Sequence, residues 1–243
     1  MVMGLKSLIN LASKLAKLLG ISGNMAPEHI SSTAMSSPTE YLQFLIEVLQ
    51  ATDESQGDKN RVYLLLRNNQ DKLDEVLRKI LQAWGTETLR QLKREQADYI
   101  AVNIANFSNL IWEFPQGNRS NNLEIAITGY KVVLSLWTRE DFPLNWAATQ
   151  NNLGNAYKDR LKEDKAENLE LAISFYQQAL LVRTQKDFPL DWAMTQNNLA
   201  NAYSDRLKRD KAENLELAIS CYQLVLGFAR STQPTIAYNT HKQ

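Results

Sequence analysis

A chain of 243 residues carries 27 Lys and Arg against 27 Asp and Glu, so no global field draws it to nucleic acid or to an acidic substrate. Apolar content of 44% suits a globular chain of one or two domains, and 9 Gly and 6 Pro, placed mostly between helix-like stretches, point to an all-α protein. The single Cys221 excludes an internal disulfide, reads as a small core residue and suits a reducing, cytoplasmic setting.

Residues 1–20 predict an amphipathic helix. Leu5, Leu8, Ile9, Leu11, Leu15, Leu18 and Leu19 share one arc, and Lys6, Lys14 and Lys17 share the other. Lys14 and Lys17 interrupt any signal-peptide core. Three readings stay open for this helix: docking on the rest of the chain, a partly ordered leader, or lying on an anionic membrane surface through its lysines. Residues 21–37, rich in Ser, Gly, Met and Pro, predict a linker.

Residues 38–95 predict a helical cap. Ser37-Pro38-Thr39-Glu40 has capping-box spacing, followed by a stripe of Leu42, Leu45, Ile46 and Leu49. Short helices follow over residues 61–68 and 71–84, and Gly85-Thr86 predicts a stop with a new N-cap. A long helical pattern then runs from residue 87 to 112, with a break expected near Ala97.

Beyond residue 95 the text repeats. Phe142 opens FPLNWAATQNNLGNAYKDRLKEDKAENLELAIS and Phe188 opens FPLDWAMTQNNLANAYSDRLKRDKAENLELAIS, a period of 188 − 142 = 46 residues. The same step carries Asn168-Leu-Glu-Leu-Ala-Ile back to Asn122-Leu-Glu-Ile-Ala-Ile, which adds an eroded first copy and gives units 96–141, 142–187 and 188–233. Each unit predicts a helix A (146–161 in the second), a charged connection and a helix B (167–184). Asn145 and Asp191 are the expected N-caps of helix A, and Phe142-Pro143 and Phe188-Pro189 the expected end of the preceding helix B. Asp164 and Glu167, repeated as Asp210 and Glu213, have helix-capping spacing.

The units resemble tetratricopeptide (TPR) repeats. The second has Leu153-Gly154-x-x-Tyr157 and Ala172-x-x-x-Tyr176-x-x-Ala179, and the third has Leu199-Ala200-x-x-Tyr203 and Ala218-x-x-x-Tyr222-x-x-Val225. The first has Phe107-Ser108-x-x-Ile111 and Ala126-x-x-x-Tyr130-x-x-Val133. Two departures stand out: the period exceeds the usual ~34 residues, and Gln150 replaces the early Trp of helix A. The resemblance implies a right-handed solenoid of antiparallel helix pairs that binds protein or peptide without catalysis. The text over residues 41–230 also resembles cyanobacterial multi-repeat proteins that end in a caspase-like CHAT protease domain, which implies a regulatory module acting with a separate effector. A Cys–His protease site is not expected among these residues: the histidines are His29, in the linker, and His241, in the tail, while Cys221 falls in a helix pattern.

No HExxH, CxxC, P-loop, GxGxxG or GxSxG pattern is present, so neither a catalytic function nor a cofactor or metal is expected. The expected binding surface is the helix-A groove. Residues two before and two after the signature Leu are predicted to point away from the core: Asn151 and Asn155, then Asn197 and Asn201, with Asn109 in the first unit. An Asn amide offers donor and acceptor together, so a ladder of them suits the backbone of an extended peptide. Lys158 and Asp205 line one end of the predicted groove, with Asp159, Ser204, Trp112 and Glu113 beside them. Asn106, Asn152 and Asn198 are expected to bond between repeats. After the last helix B, Pro234 and the polar tail 234–243 predict no further helix. The last apolar face is then uncovered, which predicts self-association, a docked partner, or relatives that continue with more repeats.

Overall fold

The computed structural model describes residues 37–232; the predicted N-terminal helix with Lys6, Lys14 and Lys17, the linker before Ser37 and the tail 234–243 lie outside the described residues. Within them the chain forms α-helices and one 3-10 turn, with no strand. Three leading helices, α1 (Pro38–Glu54), α2 (Lys59–Arg67) and α3 (Glu75–Gln91), precede three helix pairs. The pairs are α4 (Arg94–Glu113) with α5 (Arg119–Val133), α6 (Pro143–Asp159) with α7 (Lys165–Leu180), and α8 (Pro189–Asp205) with α9 (Lys211–Thr232). One apolar core runs through them all, from Tyr41 to Cys221. No helix among the described residues is long and apolar enough to cross a membrane.

The capping box at Ser37 is formed: its hydroxyl accepts from Glu40 N and the Glu40 carboxylate accepts from Ser37 N. The leading helices are then bolted to each other and to the first pair by tyrosine hydroxyls. Tyr41 donates to Asp74, the N-cap of α3, at 2.7 Å, and Tyr99 of α4 donates to Asp53 at 2.7 Å. Burial and the Asp53 bond push the Tyr99 hydroxyl up to about 12, so it remains a donor.

Three boundaries differ from expectation. Gly85 does not stop a helix; α3 passes through it. A Cβ there would sit 2.8 Å from Val132 Cγ1, so glycine serves the close approach of α5 rather than a turn. The break expected near Ala97 falls instead at Leu92 and Lys93, both extended, where Leu92 turns onto the core. Phe142-Pro143 and Phe188-Pro189 open helix A rather than close helix B, with Phe as N-cap and Pro as the first helical residue. Pro has no N–H to lose there and its φ is preset. The turn before it is tied locally, since Asp141 N donates to Thr138 Oγ1 at 3.1 Å and Phe142 N to Thr138 O at 3.0 Å. Asn145 and Asp191 therefore lie inside the first turn and are not caps.

The A–B connection is a repeated device. Gly117, Glu163 and Arg209 occupy one register position and all have positive φ (75°, 64° and 68°), which only the first copy meets without strain. Asn122, Asn168 and Asn214 then donate their amides to the carbonyls of Gln116, Lys162 and Lys208 at 2.8, 2.8 and 2.9 Å, closing each loop. Asp164 caps α7 as its spacing predicts, accepting from Glu167 N at 2.9 Å. Within the second pair, a Cβ on Gly154 would overlap the Tyr176 ring, so the small residue sets the distance between α6 and α7.

Candidate interaction surface

The Asn positions of helix A were expected to face a ligand with both amide functions. The structure assigns one of those functions inward. Tyr130, Tyr176 and Tyr222 of the B helices donate their hydroxyls to the Oδ1 atoms of Asn109, Asn155 and Asn201 at 2.7, 2.7 and 2.6 Å. Burial raises the Tyr130 and Tyr176 hydroxyls far above the ordinary phenol range, so each stays a donor. A constant separation of 21 residues between Asn and Tyr in all three units is the signal that sequence reading passed over. These amides therefore hold the helix pairs together, with one acceptor position of each carbonyl oxygen taken by a tyrosine and the second position of Asn109 taken by Asn152.

Asn151 also departs from its expected direction. It is buried at the seam between the second and third pairs, where its Oδ1 accepts from Asn198 Nδ2 at 3.2 Å and its Nδ2 donates to Asn152 at 3.3 Å. Asn152 in turn donates to Asn109 Oδ1 at 2.9 Å, across the seam between the first and second pairs. Asn152 and Asn198 thus bond between repeats, whereas Asn106 is exposed on α4. Asn197, identical in position to Asn151, is exposed, and Asp205 is exposed at the end of α8. Lys158 is half-buried, and its backbone carbonyl accepts from the Lys165 ammonium. The same arrangement recurs as Arg119 on the Trp112 carbonyl and Lys211 on the Ser204 carbonyl. Each cation opens helix B and satisfies the negative end of helix A.

Among the predicted residues, the structure brings Asn109 and Asn155 together. With Asn152, Trp112 and Glu113 they line a recess of about 200 Å³ between α4 and α6. A second recess of about 240 Å³ adjoins it through Asn109 and Glu113 and is walled by Gln56, Gly57, Lys59 and Asn106. The two form one groove along helix A of the first unit. Its chemistry is donor-rich. Asn109 Oδ1 already accepts two bonds, and the Trp112 indole N–H is buried with no acceptor among the described residues. Glu113 is paired with Lys59 across the groove, which holds the lysine above its ordinary pKa. Lys158, Asn151, Asn197, Asn201 and Asp205 do not line it.

A larger recess of about 420 Å³ lies between α3, α5 and the second A–B connection, and was not anticipated. Two of the four cations that line it are paired, Arg78 with Glu75 at 2.6 Å and Arg160 with Glu124 at 2.6 Å; the others are Lys131, over the Tyr157 ring, and Lys162. Among the described residues no group of His, Cys, Asp and Glu could hold a metal ion.

The fold is therefore an all-α array of helix pairs of the TPR type. A family model described as tetratricopeptide repeat matches residues 192–232, which cover most of α8 and all of α9. Searches of curated proteins and of solved structures gave no match. Tetratricopeptide repeats generally mediate protein–protein interaction, through the extended surfaces that stacked pairs create.

Proposed function

We propose that the chain is a non-catalytic, cytoplasmic interaction module that holds an extended segment of a partner protein in the groove along α4 and α6. The observation that carries this reading is the surplus of donors around Asn109, Trp112, Asn152 and Asn155, foremost the buried Trp112 N–H. An unpaired buried donor is unfavourable until an acceptor arrives, and peptide carbonyls are acceptors at every residue. Lys158, Asn201 and Asp205 then belong to a continuation of the surface toward the later units.

Trp112→Phe is the variant of choice, because Asn155→Ala would also orphan the Tyr176 hydroxyl. Peptides selected from a random display library on the wild-type chain are expected to bind Trp112→Phe about tenfold more weakly, with the circular dichroism spectrum unchanged. Equal binding to both proteins would refute the groove.

Three further roles are compatible with this one. The exposed apolar face of α9 favours docking to a second copy or to another protein, and light scattering over a concentration series separates them, since only a copy raises the mass of the pure chain. A regulatory role beside a CHAT-type effector rests on the sequence resemblance, and a membrane tether through Lys6, Lys14 and Lys17 on the pattern of residues 5–19. For the tether, equal co-sedimentation with anionic liposomes by the chain and by a triple Lys→Glu variant at those positions would remove it.

A further inference from the structure

The last helix pair exposes a surface whose complement the chain has already built twice. Leu169 and Ile173 of α7 are 1% and 4% exposed, because α8 packs over them. Their copies on α9, Leu215 and Ile219, are 40% and 52% exposed. The polar contacts around them repeat in the same way. Glu124 receives Arg160, at 2.6 and 3.0 Å, and Glu170 receives Arg206, at 2.7 Å through Nε. Both pairs span 36 residues, and in both the arginine caps the end of the following helix A. The third copy, Glu216, is exposed. Asn198 bonds to Asn151 across the second seam, while Asn197, the third-unit counterpart of Asn151, is open.

We propose that this face receives, in trans, a helix with the chemistry of helix A carried by another protein. Its apolar stripe covers Leu215 and Ile219, and an arginine at its C-terminal end forms a bidentate pair with Glu216. An asparagine eight residues before that arginine, as Asn198 stands to Arg206, reaches Asn197. The assignment rests on the docking role of α9 given above and continues an interface the molecule already uses. A second folded copy is a poor source of such a helix. Its own α6 and α8 are committed, with Arg160 and Arg206 engaged on Glu124 and Glu170, and its α4 is enclosed by the leading helices and α5. Charge selects the same occupant: an acidic acceptor beside an apolar stripe takes a helix ending in arginine and repels one ending in a carboxylate.

The probe is a fluorescent peptide of residues 188–210, the chain's own helix A with Arg206, titrated into the full-length protein. Saturable binding is expected. Glu216→Arg should weaken it about fivefold, Arg206→Glu in the peptide should weaken it by a similar factor, and the two changes together should restore it, as an ion pair across the interface requires. Ile219→Asp should abolish binding. Absence of saturable binding at millimolar peptide, or binding indifferent to Glu216→Arg, overturns the proposal. If the peptide fails while the pure chain sediments as a dimer that Ile219→Asp dissociates, the occupant is a second copy: the docking role stands and the helix-A assignment falls. If the peptide fails and the chain is monomeric, the helix-A assignment falls and the docking role passes to a protein of other chemistry.

Discussion

The second and third helix pairs are nearly the same sequence in two environments. Leu169 and Leu215, Ile173 and Ile219, Glu170 and Glu216, and Asn151 and Asn197 are matched residue for residue, yet the first of each couple is covered and the second is not. The difference lies in what comes next along the stack, since each B helix is completed by the A helix that follows it. Within such an array a residue's energetic role is set by its place in the series as much as by its type. Sequence identity between repeats is therefore a poor guide to equal importance, and the pairs supply their own controls.

The largest expected contrast is at the isoleucines. Ile173→Ala leaves a cavity at the seam between α7 and α8 and should cost about 2–5 kcal/mol. Ile219→Ala removes a side chain half in solvent and should stay within about 0.5 kcal/mol in the pure protein. Urea denaturation of both variants measures the gap. Equal large losses would mean that α9 is covered in solution, and equal small ones that α8 does not seat on α7 as described.

A smaller contrast tests the Asn–Tyr pairs. Asn155→Ala strands the buried Tyr176 hydroxyl and should cost about 1–3 kcal/mol, whereas adding Tyr176→Phe removes the stranded group and should cost less than the sum of the two single changes. Asn201→Ala should be milder, because Tyr222 is partly exposed at the open end. Additive losses in the double variant would remove the bond from the account of stability.

These pairs also show what could and could not be read from the sequence. The period gave the helix pairs, because a 46-residue copy must reproduce its own hydrogen bonding and apolar stripe wherever it occurs. The bonds of Asn152 and Asn198 across the seams followed from their flank position on helix A. The direction of Asn155 did not follow, since helical spacing assigns a face but not which neighbour supplies a hydroxyl 21 residues later. Gly85 and Phe142-Pro143 misled for a related reason. Glycine serves a turn or a close approach, proline an end or a beginning, and only the packed neighbours decide between them. The groove itself was legible only in part: Asn109 and Asn155 meet in it, but Trp112 gains its significance from a missing acceptor, which no pattern displays.

The smallest contrast is at the glutamates, and it carries a pH signature. Hydrogen bonding from Arg206 lowers the Glu170 pKa below its ordinary value of 4.5, against the opposing effect of partial burial. A carboxyl that binds its proton less readily folded than unfolded adds stability fully present above the unfolded pKa and lost as pH falls through the folded one. Glu170→Gln should therefore cost about 1 kcal/mol at pH 7, a value held down by the partial exposure of the pair. Below the lowered pKa the wild-type side chain is itself neutral, so the two proteins should converge in stability. Glu216→Gln, with no arginine across from it among the described residues, should change stability little at pH 7. Adding the arginine-bearing helix-A peptide should convert the second behaviour into the first. If Glu216→Gln already follows the Glu170→Gln profile without the peptide, the open end of the array is occupied by the chain itself.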